Sequence, residues 1–149
     1  MKNVIIVDLD GTVCDHLHRV HLGQAGVWEE YHAACVDDEP NEDVATIIRM
    51  ILAFVKFDVI FLTGRNEKFR SVTIEWLRKH RLYSDTLLMR PDGNYERTEE
   101  LKLKMLEEYF GNKEIAMERI LFALDDTDRI VEAFRNYGLP CWQVRQGMY

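Results

Sequence analysis

Short apolar runs alternate with longer amphipathic segments along most of this chain. Five short runs rich in apolar residues are predicted to be strands, at residues 4–8, 58–63, 86–89, 120–125 and 141–144. Between them, residues 43–55, 69–77, 101–110 and 130–137 carry apolar side chains at helical spacing. This alternation predicts an α/β fold, in which a central, mostly parallel sheet is covered by helices on both faces. The predicted architecture is a three-layer α/β/α arrangement of the Rossmann-like kind.

The segment 43–55 shows the helical pattern most clearly. Its apolar side chains recur three or four positions apart, at Val44, Ile47, Ile48, Ile51, Leu52 and Val55. Asn41 precedes the segment and is predicted to be its N-cap. We expect the stripe from Ile47 to Val55, and the similar stripe in 69–77, to pack in the core.

Length and composition predict one folded domain. The chain has 149 residues, of which 47% are hydrophobic, so it can bury a core without disulfides or a structural metal. Its three cysteines form no CxxC pair, which favours a reducing, cytoplasmic location. We expect no membrane span, because no apolar run approaches the roughly 20 residues that a spanning helix needs. The domain should cover 1–149, with a short insertion at about 14–42.

The net charge restricts the binding partners. A formal charge of −7 is the wrong sign for a protein that grips long nucleic acid through many phosphate contacts. The charge does not count against a short nucleic-acid end or a small phosphate ester, because an enzyme can carry acidic residues for a metal ion.

Polar residues stand where three of the predicted strands end. They are Asp8 and Asp10 after the first strand, Thr63, Gly64 and Arg65 after the second, and Asp125 and Asp126 after the fourth. In an open parallel sheet the binding site lies outside the carboxyl ends of the strands, so these side chains should converge. Carboxylates that converge repel one another and require a cation, and their oxygen atoms favour Mg²⁺.

Phosphoryl transfer to a carboxylate fits this set of residues. Asp8 would attack phosphorus to give an aspartyl-phosphate. Asp10, two positions on, could protonate the leaving oxygen and then deprotonate the attacking water. Gly11 would let the backbone turn and approach a phosphate. Thr63, Gly64, Arg65 and one lysine, with Lys102 and Lys104 both available, would hold the phosphoryl oxygens.

The motifs resemble those of the haloacid dehalogenase (HAD) superfamily of aspartate-nucleophile phosphatases. They are VDLDGT at 7–12, LTGR at 62–65, a lysine, and ALDD at 123–126. The resemblance implies a HAD-like fold and a phosphatase with Asp8 as nucleophile. It also implies that Mg²⁺ is held by Asp8, Asp125 and Asp126 and by the backbone carbonyl of Asp10.

A narrower resemblance is to the 3′-phosphatase domain of phage polynucleotide kinase and its stand-alone relatives. It is carried by LLMRPDGNYERTEELK at 87–102 and LDDTDRIVEAFRNYGLPCWQV at 124–144. It implies that Lys102, not Lys104, is the catalytic lysine. It further implies a substrate with a 3′-phosphorylated nucleic-acid end and a separate kinase or ligase as a possible partner.

The predicted insertion is too short to be a separate cap domain, so the site should stay open to a bulky substrate. Trp28 or Tyr31 could stack on a base, and Arg19 and Arg90 could meet a neighbouring phosphate.

Two other functions stay open. The first is a phosphatase of mononucleotides or other small phosphate esters. The second is a non-catalytic phospho-acceptor module such as a response-regulator receiver, although a receiver carries its acidic pair early, and here the pair lies near residue 125. The sequence contains no GxxxxGK[ST] motif, so these residues should not phosphorylate ends themselves.

Overall fold

A computed structural model of the protein, described here over residues 1–147, contains a five-stranded parallel sheet. Its strands are β1 (Val4–Val7), β4 (Asp58–Asn66), β5 (Thr86–Arg90), β6 (Ile120–Asp125) and β7 (Cys141–Gln143). The strand order is β5-β4-β1-β6-β7, so β1 lies in the middle. Because the strand order reverses beside β1, a site is expected at its carboxyl end.

The strand β1 is buried on both sides of the sheet, which explains why its four residues are all apolar. It pairs with β4 in the register Ile6↔Ile60 and with β6 in the register Ile6↔Ala123. Ile5 and Val7 pack into one hydrophobic cluster, whereas Val4 and Ile6 pack into a second cluster on the opposite face.

Seven α-helices lie in residues 1–147. They are α1 (Val20–Gln24), α2 (Trp28–Ala33), α3 (Glu42–Leu52), α4 (Arg70–Lys79), α5 (Thr98–Phe110), α6 (Lys113–Arg119) and α7 (Asp128–Tyr137). Side chains of α3 and α4 pack in the first cluster, and those of α5, α6 and α7 in the second. The predicted three-layer α/β/α architecture is therefore confirmed.

The chain between β1 and α3 passes near the carboxyl end of β1, where Arg19 contacts Asp10. A two-stranded antiparallel ribbon joins β2 (Cys14–Asp15) to β3 (Glu39–Pro40). The short helices α1 and α2 lie between these strands. This arrangement places α2 beside the end of the sheet where the polar residues gather.

Several local details differ from the predictions. The helix α3 ends at Leu52, and Val55 is fully exposed beyond it. Ile47 lies on the outer face of α3 and is 55% exposed, so neither residue belongs to the core. Asn41 occupies the N-cap position of α3, but its side-chain amide donates a hydrogen bond to the carbonyl of Thr12 instead of capping the helix. The helix α6 was not predicted.

Within residues 1–147, none of the helices combines the length and the apolar character that crossing a membrane requires.

Candidate active site

Several of the residues singled out at the strand ends line one cavity of about 440 Å³, whereas Arg65, Asp125 and Asp126 are buried and do not line it. Its lining includes Asp8, Asp10, Thr63, Gly64 and Lys102. The carboxyl ends of β1 and β4 and the helix α5 bring these residues together from across the chain, as parallel strand ends in an α/β sheet should do. A volume of this size falls in the usual range of small-ligand sites, about 300–1,000 Å³.

Lys102 links the ends of β1 and β6. Its Nζ lies 2.7 Å from Oδ1 of Asp8 and 2.7 Å from Oδ2 of Asp125. Burial alone would lower the pKa of Lys102, but the Asp125 and Asp8 carboxylates outweigh burial and raise it. Lys102 is therefore a charged, buried group beside the predicted nucleophile. Lys104 is exposed and pairs with Glu96 at 3.0 Å.

Three buried carboxylates surround a space in which a cation could bind. Asp8, Asp125 and Asp126 each offer an oxygen, and these oxygens lie within 4.8 Å of one another. Burial, and then repulsion from Asp125, raises the pKa of Asp126 to about 6. Burial also raises the pKa of Asp8 well above its ordinary value, although Lys102 opposes the shift. One ammonium group does not balance three carboxylates, so the cluster carries the charge that a divalent ion would neutralise.

Gly11 allows the two acidic motifs to approach each other. Its φ is +83°, and a Cβ at this position would lie 2.1 Å from Oδ2 of Asp126. Its backbone N–H donates a hydrogen bond to the carbonyl of Cys14 at 2.9 Å. The predicted tight turn is present, but the turn serves contact with Asp126, and its N–H already has a protein acceptor.

Hydroxyl and amide donors fix the orientation of the carboxylates. The hydroxyl of Thr12 donates to Oδ2 of Asp8 at 2.9 Å, so both oxygens of Asp8 are held. The backbone N–H of Thr127, at the start of α7, donates to Oδ1 of Asp125 at 3.0 Å. Such bonds lock the rotamers of the acidic side chains and hold Asp8 and Asp125 on either side of Lys102.

Asp10 is paired with two buried arginines. Nε of Arg65 donates to Oδ1 and Oδ2 of Asp10 at 3.1 and 3.0 Å, and Nη2 of Arg19 contacts Oδ1. Burial alone would raise the pKa of Asp10, but the guanidinium groups of Arg65 and Arg19 outweigh it and hold that pKa well below its usual range. Asp10 is therefore ionised at neutral pH.

Asp38 completes this charge network, a role that no motif in the sequence indicates. It accepts from Nε of Arg19 at 2.7 Å and from Nη2 of Arg65 at 3.3 Å. Its carbonyl accepts from Nε1 of Trp76 at 2.7 Å, which ties the network to α4. Two carboxylates and two guanidinium groups balance one another in this network.

Arginines predicted to meet phosphates have protein partners instead. The guanidinium groups of Arg19 and Arg65 are buried against Asp10 and Asp38 and do not line the cavity. Arg90 lines the cavity, but its Nε donates to the carbonyl of Gly64 at 3.1 Å and its Nη2 to Oγ1 of Thr98 at 2.8 Å. These arginines position the loops and the acid that surround the site.

Thr63 and Gly64 lie at the cavity wall formed by β4. Thr63 is buried, and its Oγ1 accepts a hydrogen bond from the backbone N–H of Arg65 at 3.2 Å. A Cβ on Gly64 would lie 3.1 Å from the methyl group of Thr98, so a small residue is favoured there. The backbone of β4 can therefore pass close to a group bound beside Asp8.

The fold and the site together define a phosphatase of the HAD type. The sheet is parallel and five-stranded, an aspartate follows its central strand, and a lysine is shared between this aspartate and a second acidic motif. Within that class, the chain belongs to the family of polynucleotide kinase (PNKP) phosphatase domains, whose model matches residues 2–149. The predicted resemblance and the predicted enzyme class are both confirmed. The non-catalytic receiver alternative is thereby set aside.

Solved structures support the same assignment. The chain is 27% identical to a chain of the Pnkp1/Rnl/Hen1 RNA repair complex, with a TM-score of 0.81 over 100% of this chain and 44% of that one. A hydrolase from Streptococcus pneumoniae TIGR4 has a TM-score of 0.61 at 16% identity, over 98% of this chain and 95% of the other, and shows the shared fold.

One viral relative is also similar in sequence. A protein of Autographa californica nuclear polyhedrosis virus, named as a bifunctional polynucleotide kinase/RNA ligase, is 24% identical over 137 residues. The match covers 91% of this chain and 18% of the viral protein. The chain thus spans less than half the length of the matched chain of the RNA repair complex and less than a fifth of the viral protein.

Proposed function

We propose that this protein is a Mg²⁺-dependent phosphomonoesterase that removes 3′-phosphates from nucleic-acid ends through an aspartyl-phosphate. The observation that carries the proposal is the position of Asp8 at the end of the central strand. Nζ of Lys102 contacts one oxygen of Asp8, and Asp125 and Asp126 lie beside Asp8. Asp8 and Lys102 line an accessible cavity of a PNKP phosphatase domain.

In the first step a carboxylate oxygen of Asp8 forms a bond to phosphorus while the bond from phosphorus to the 3′-oxygen breaks. The leaving oxygen takes a proton from Asp10. In the second step water attacks the phosphorus of the aspartyl-phosphate and transfers a proton to Asp10. This step releases inorganic phosphate and regenerates the Asp8 carboxylate.

The ionised state of Asp10 suits the second step. To act as an acid in the first step, Asp10 must carry a proton, which Arg65 and Arg19 oppose in the present arrangement. Asp10 also lines the cavity. Rotation of its side chain toward the leaving oxygen would weaken its pairing with the guanidinium groups and allow protonation. Arg65 and Arg19 are then positioning residues that return Asp10 to its basic form.

Thr63, Gly64 and Lys102 would bind the transferring phosphoryl group. The Oγ1 of Thr63 already accepts from Arg65, so its hydroxyl hydrogen can be donated to a phosphoryl oxygen. Lys102 supplies a fixed positive charge beside Asp8. Preorganised donors of this kind stabilise the negative charge of the transition state without reorganisation during the reaction.

Asp8, Asp125 and Asp126, with the backbone carbonyl of Asp10, would hold Mg²⁺. The mutual distances of the three side chains and their excess negative charge fit a divalent cation. When bound, Mg²⁺ would neutralise the non-bridging oxygens of the phosphate and allow an anionic nucleophile to approach them.

The nucleic-acid substrate is proposed from the family and from the limited size of the segment at 14–42. We take this segment as a short insertion in a single HAD-like domain, which leaves the cavity accessible to a chain end. A cytoplasmic location with a separate kinase or ligase as partner is part of the same proposal. The three cysteines are free thiols, and the sequence contains no P-loop motif.

The test compares a 3′-phosphorylated oligonucleotide with a 3′-mononucleotide and a 5′-mononucleotide at equal concentration. We expect Mg²⁺-dependent release of phosphate, fastest from the oligonucleotide and abolished in Asp8→Asn. Activity that survives EDTA would refute the metal requirement. A large preference for the 5′-mononucleotide would replace the end-processing function with the small-ester alternative.

A further inference from the structure

An aromatic wall, formed by Trp28, His32 and Phe69, lines the cavity that contains Asp8. The rings of Trp28 and His32 are stacked, with centroids 6.2 Å apart and an angle of 29° between planes. The centroids of His32 and Phe69 are 5.5 Å apart. The wall therefore joins α2 to the turn after β4, and it lies in the same cavity as the predicted nucleophile.

Trp28 is held in position but is not covered. The edge of Tyr31 packs against it with a centroid distance of 5.6 Å, and a Cβ on Gly23 would come within 3.2 Å of its ring. Even so, Trp28 is 50% exposed. An indole that is fixed by its neighbours and open on the cavity side loses little conformational entropy when a planar ligand stacks on it.

Tyr31 has a different role from the one its sequence neighbourhood suggested. It is buried, and the guanidinium carbon of Arg19 lies 4.2 Å from the centre of its ring. Its hydroxyl lies 2.7 Å from Nδ1 of His16. Tyr31 therefore supports Trp28 and Arg19 from behind. Both aromatic residues predicted to stack on a base line the cavity, but Tyr31 is 2% exposed and Trp28 is 50% exposed, so only Trp28 has a ring face free for a base.

The charge of this wall favours an uncharged planar group over a phosphate. Burial lowers the pKa of His32 to about 4, so its ring is neutral at pH 7. The two charged residues next to the wall, Glu29 and Lys68, form an ion pair with each other. Lys68, the lysine beside the wall, is therefore already neutralised by Glu29 and is a weak attractor for a phosphodiester.

We propose that the aromatic wall binds the nucleobase of the nucleotide that carries the 3′-phosphate, with Trp28 as the stacking platform. This inference rests on the proposed function and adds a base subsite to it. Stacking on an aromatic side chain tolerates every base, so the subsite would accept any terminal base in preference to a terminus that lacks one.

The experiment uses two 3′-phosphorylated oligonucleotides that differ only in whether the last nucleotide has a base. For the wild-type protein we expect a higher kcat/KM with the base present. Trp28→Ala should lower kcat/KM for that substrate about 5- to 150-fold, the equivalent of one stacked base, mainly through KM. The loss should be several-fold smaller for the abasic substrate.

Trp142 provides the matched control. It is 58% exposed, stacks on Phe122 and does not line the cavity, so Trp142→Ala should change neither substrate's kcat/KM. Trp28→Phe keeps a ring and should lose less than Trp28→Ala. It also allows the comparison of the two substrates if the alanine variant does not fold.

The outcomes separate this inference from the proposed function. If a folded Trp28 variant loses the same factor in kcat/KM on the two substrates, the base subsite is overturned and the 3′-phosphatase function stays intact. If the wild-type protein hydrolyses neither oligonucleotide but does hydrolyse a small phosphate ester, both the function and the subsite are overturned.

Discussion

Nε of Arg65 donates to both carboxylate oxygens of Asp10, at 3.1 and 3.0 Å, although the two residues are 55 positions apart. The planar guanidinium group also reaches Thr73 through Nη1 at 3.2 Å, so its plane is fixed from both ends. This pairing determines where the predicted acid/base lies and which protonation state it has at rest.

Arg65→Lys should lower kcat about 10²-fold, because an ammonium group keeps the charge but cannot make the planar, forked contact with Asp10. The measurement is steady-state hydrolysis of a phosphate ester, with circular dichroism to show that the variant folds. Arg49→Lys is the control, since Arg49 pairs with Glu42 outside the cavity and should have little effect. Wild-type kcat in Arg65→Lys would contradict a positioning role.

Lys102→Met should abolish most activity, with a loss of about 10²- to 10³-fold in kcat, because it removes the cation shared by Asp8 and Asp125. Lys104→Met, two positions away, removes only an exposed pair with Glu96 and should change kcat by less than about twofold. Side-by-side kinetics of the two variants provide the measurement. A larger loss of kcat in Lys104→Met than in Lys102→Met would show that Lys104, and not Lys102, binds the phosphate.

Asp8→Asn should inactivate the enzyme and yet stabilise the metal-free protein. Removing one of three crowded carboxylates relieves the repulsion that a bound cation would otherwise neutralise. We expect the Tm in EDTA to rise by about 3 °C. Mg²⁺ should then raise the Tm less than it does for the wild type, because a ligand has been lost. Equal Mg²⁺-induced shifts in the two proteins would place the cation elsewhere.

Asp10 should stabilise the folded protein only at a pH at which its carboxyl group is ionised. Its pKa in the folded state is depressed, so its contribution is fully present above the unfolded value of about 3.9 and is lost as pH falls through the folded pKa. Asp10→Asn should lower the free energy of unfolding by about 2 kcal/mol at pH 7. Urea titrations of both proteins should give a constant difference from pH 7 to pH 5 and a shrinking one below about pH 4. If the difference in the free energy of unfolding between the two proteins grew as the pH fell, the pKa of Asp10 in the folded state would not be depressed.

Gly11→Ala should disrupt the cation site. The added methyl group meets Asp126 at 2.1 Å, in addition to the backbone strain of a φ of +83°. Gly26→Ala is the matched control, because Gly26 has a φ of +75° but no atom within 4 Å of the added methyl group. The control should lose about 1 kcal/mol of stability and keep its activity. Calorimetric Mg²⁺ titration of both variants separates strain from steric displacement, and unchanged affinity in Gly11→Ala would exclude the steric effect.

Much of this fold was predictable because its signals are local. The strand β1 is an unbroken apolar run, and such a run ending in Asp8 marks both a buried strand and the edge at which it emerges. Lys102 was identified through its motif, and the structure brings it to Asp8 and Asp125. These features depend on residue order within one segment or on a family pattern.

The partners of buried charges were not predictable, because they depend on which segments meet in space. Arg19 and Asp38 are 19 positions apart in a region without clear periodicity, where α1 and α2 have only five and six residues. A basic residue near a phosphate motif looks the same in sequence whether it binds substrate or an acid of the protein. The sequence around Arg65 therefore does not indicate whether its guanidinium group contacts a phosphate or Asp10.

The central place of β1 in the sheet has a consequence for a chain that is still being synthesised. A chain that has emerged only as far as residue 119 contains Asp8, Thr63 and Lys102, but it lacks β6, which pairs with β1 and ends in Asp125. The predicted nucleophile would then stand on an edge strand without Asp125 and Asp126 beside it. Phosphatase activity in this protein therefore requires that the last fifth of the chain has joined the sheet, and nascent fragments that end before β6 should have no activity.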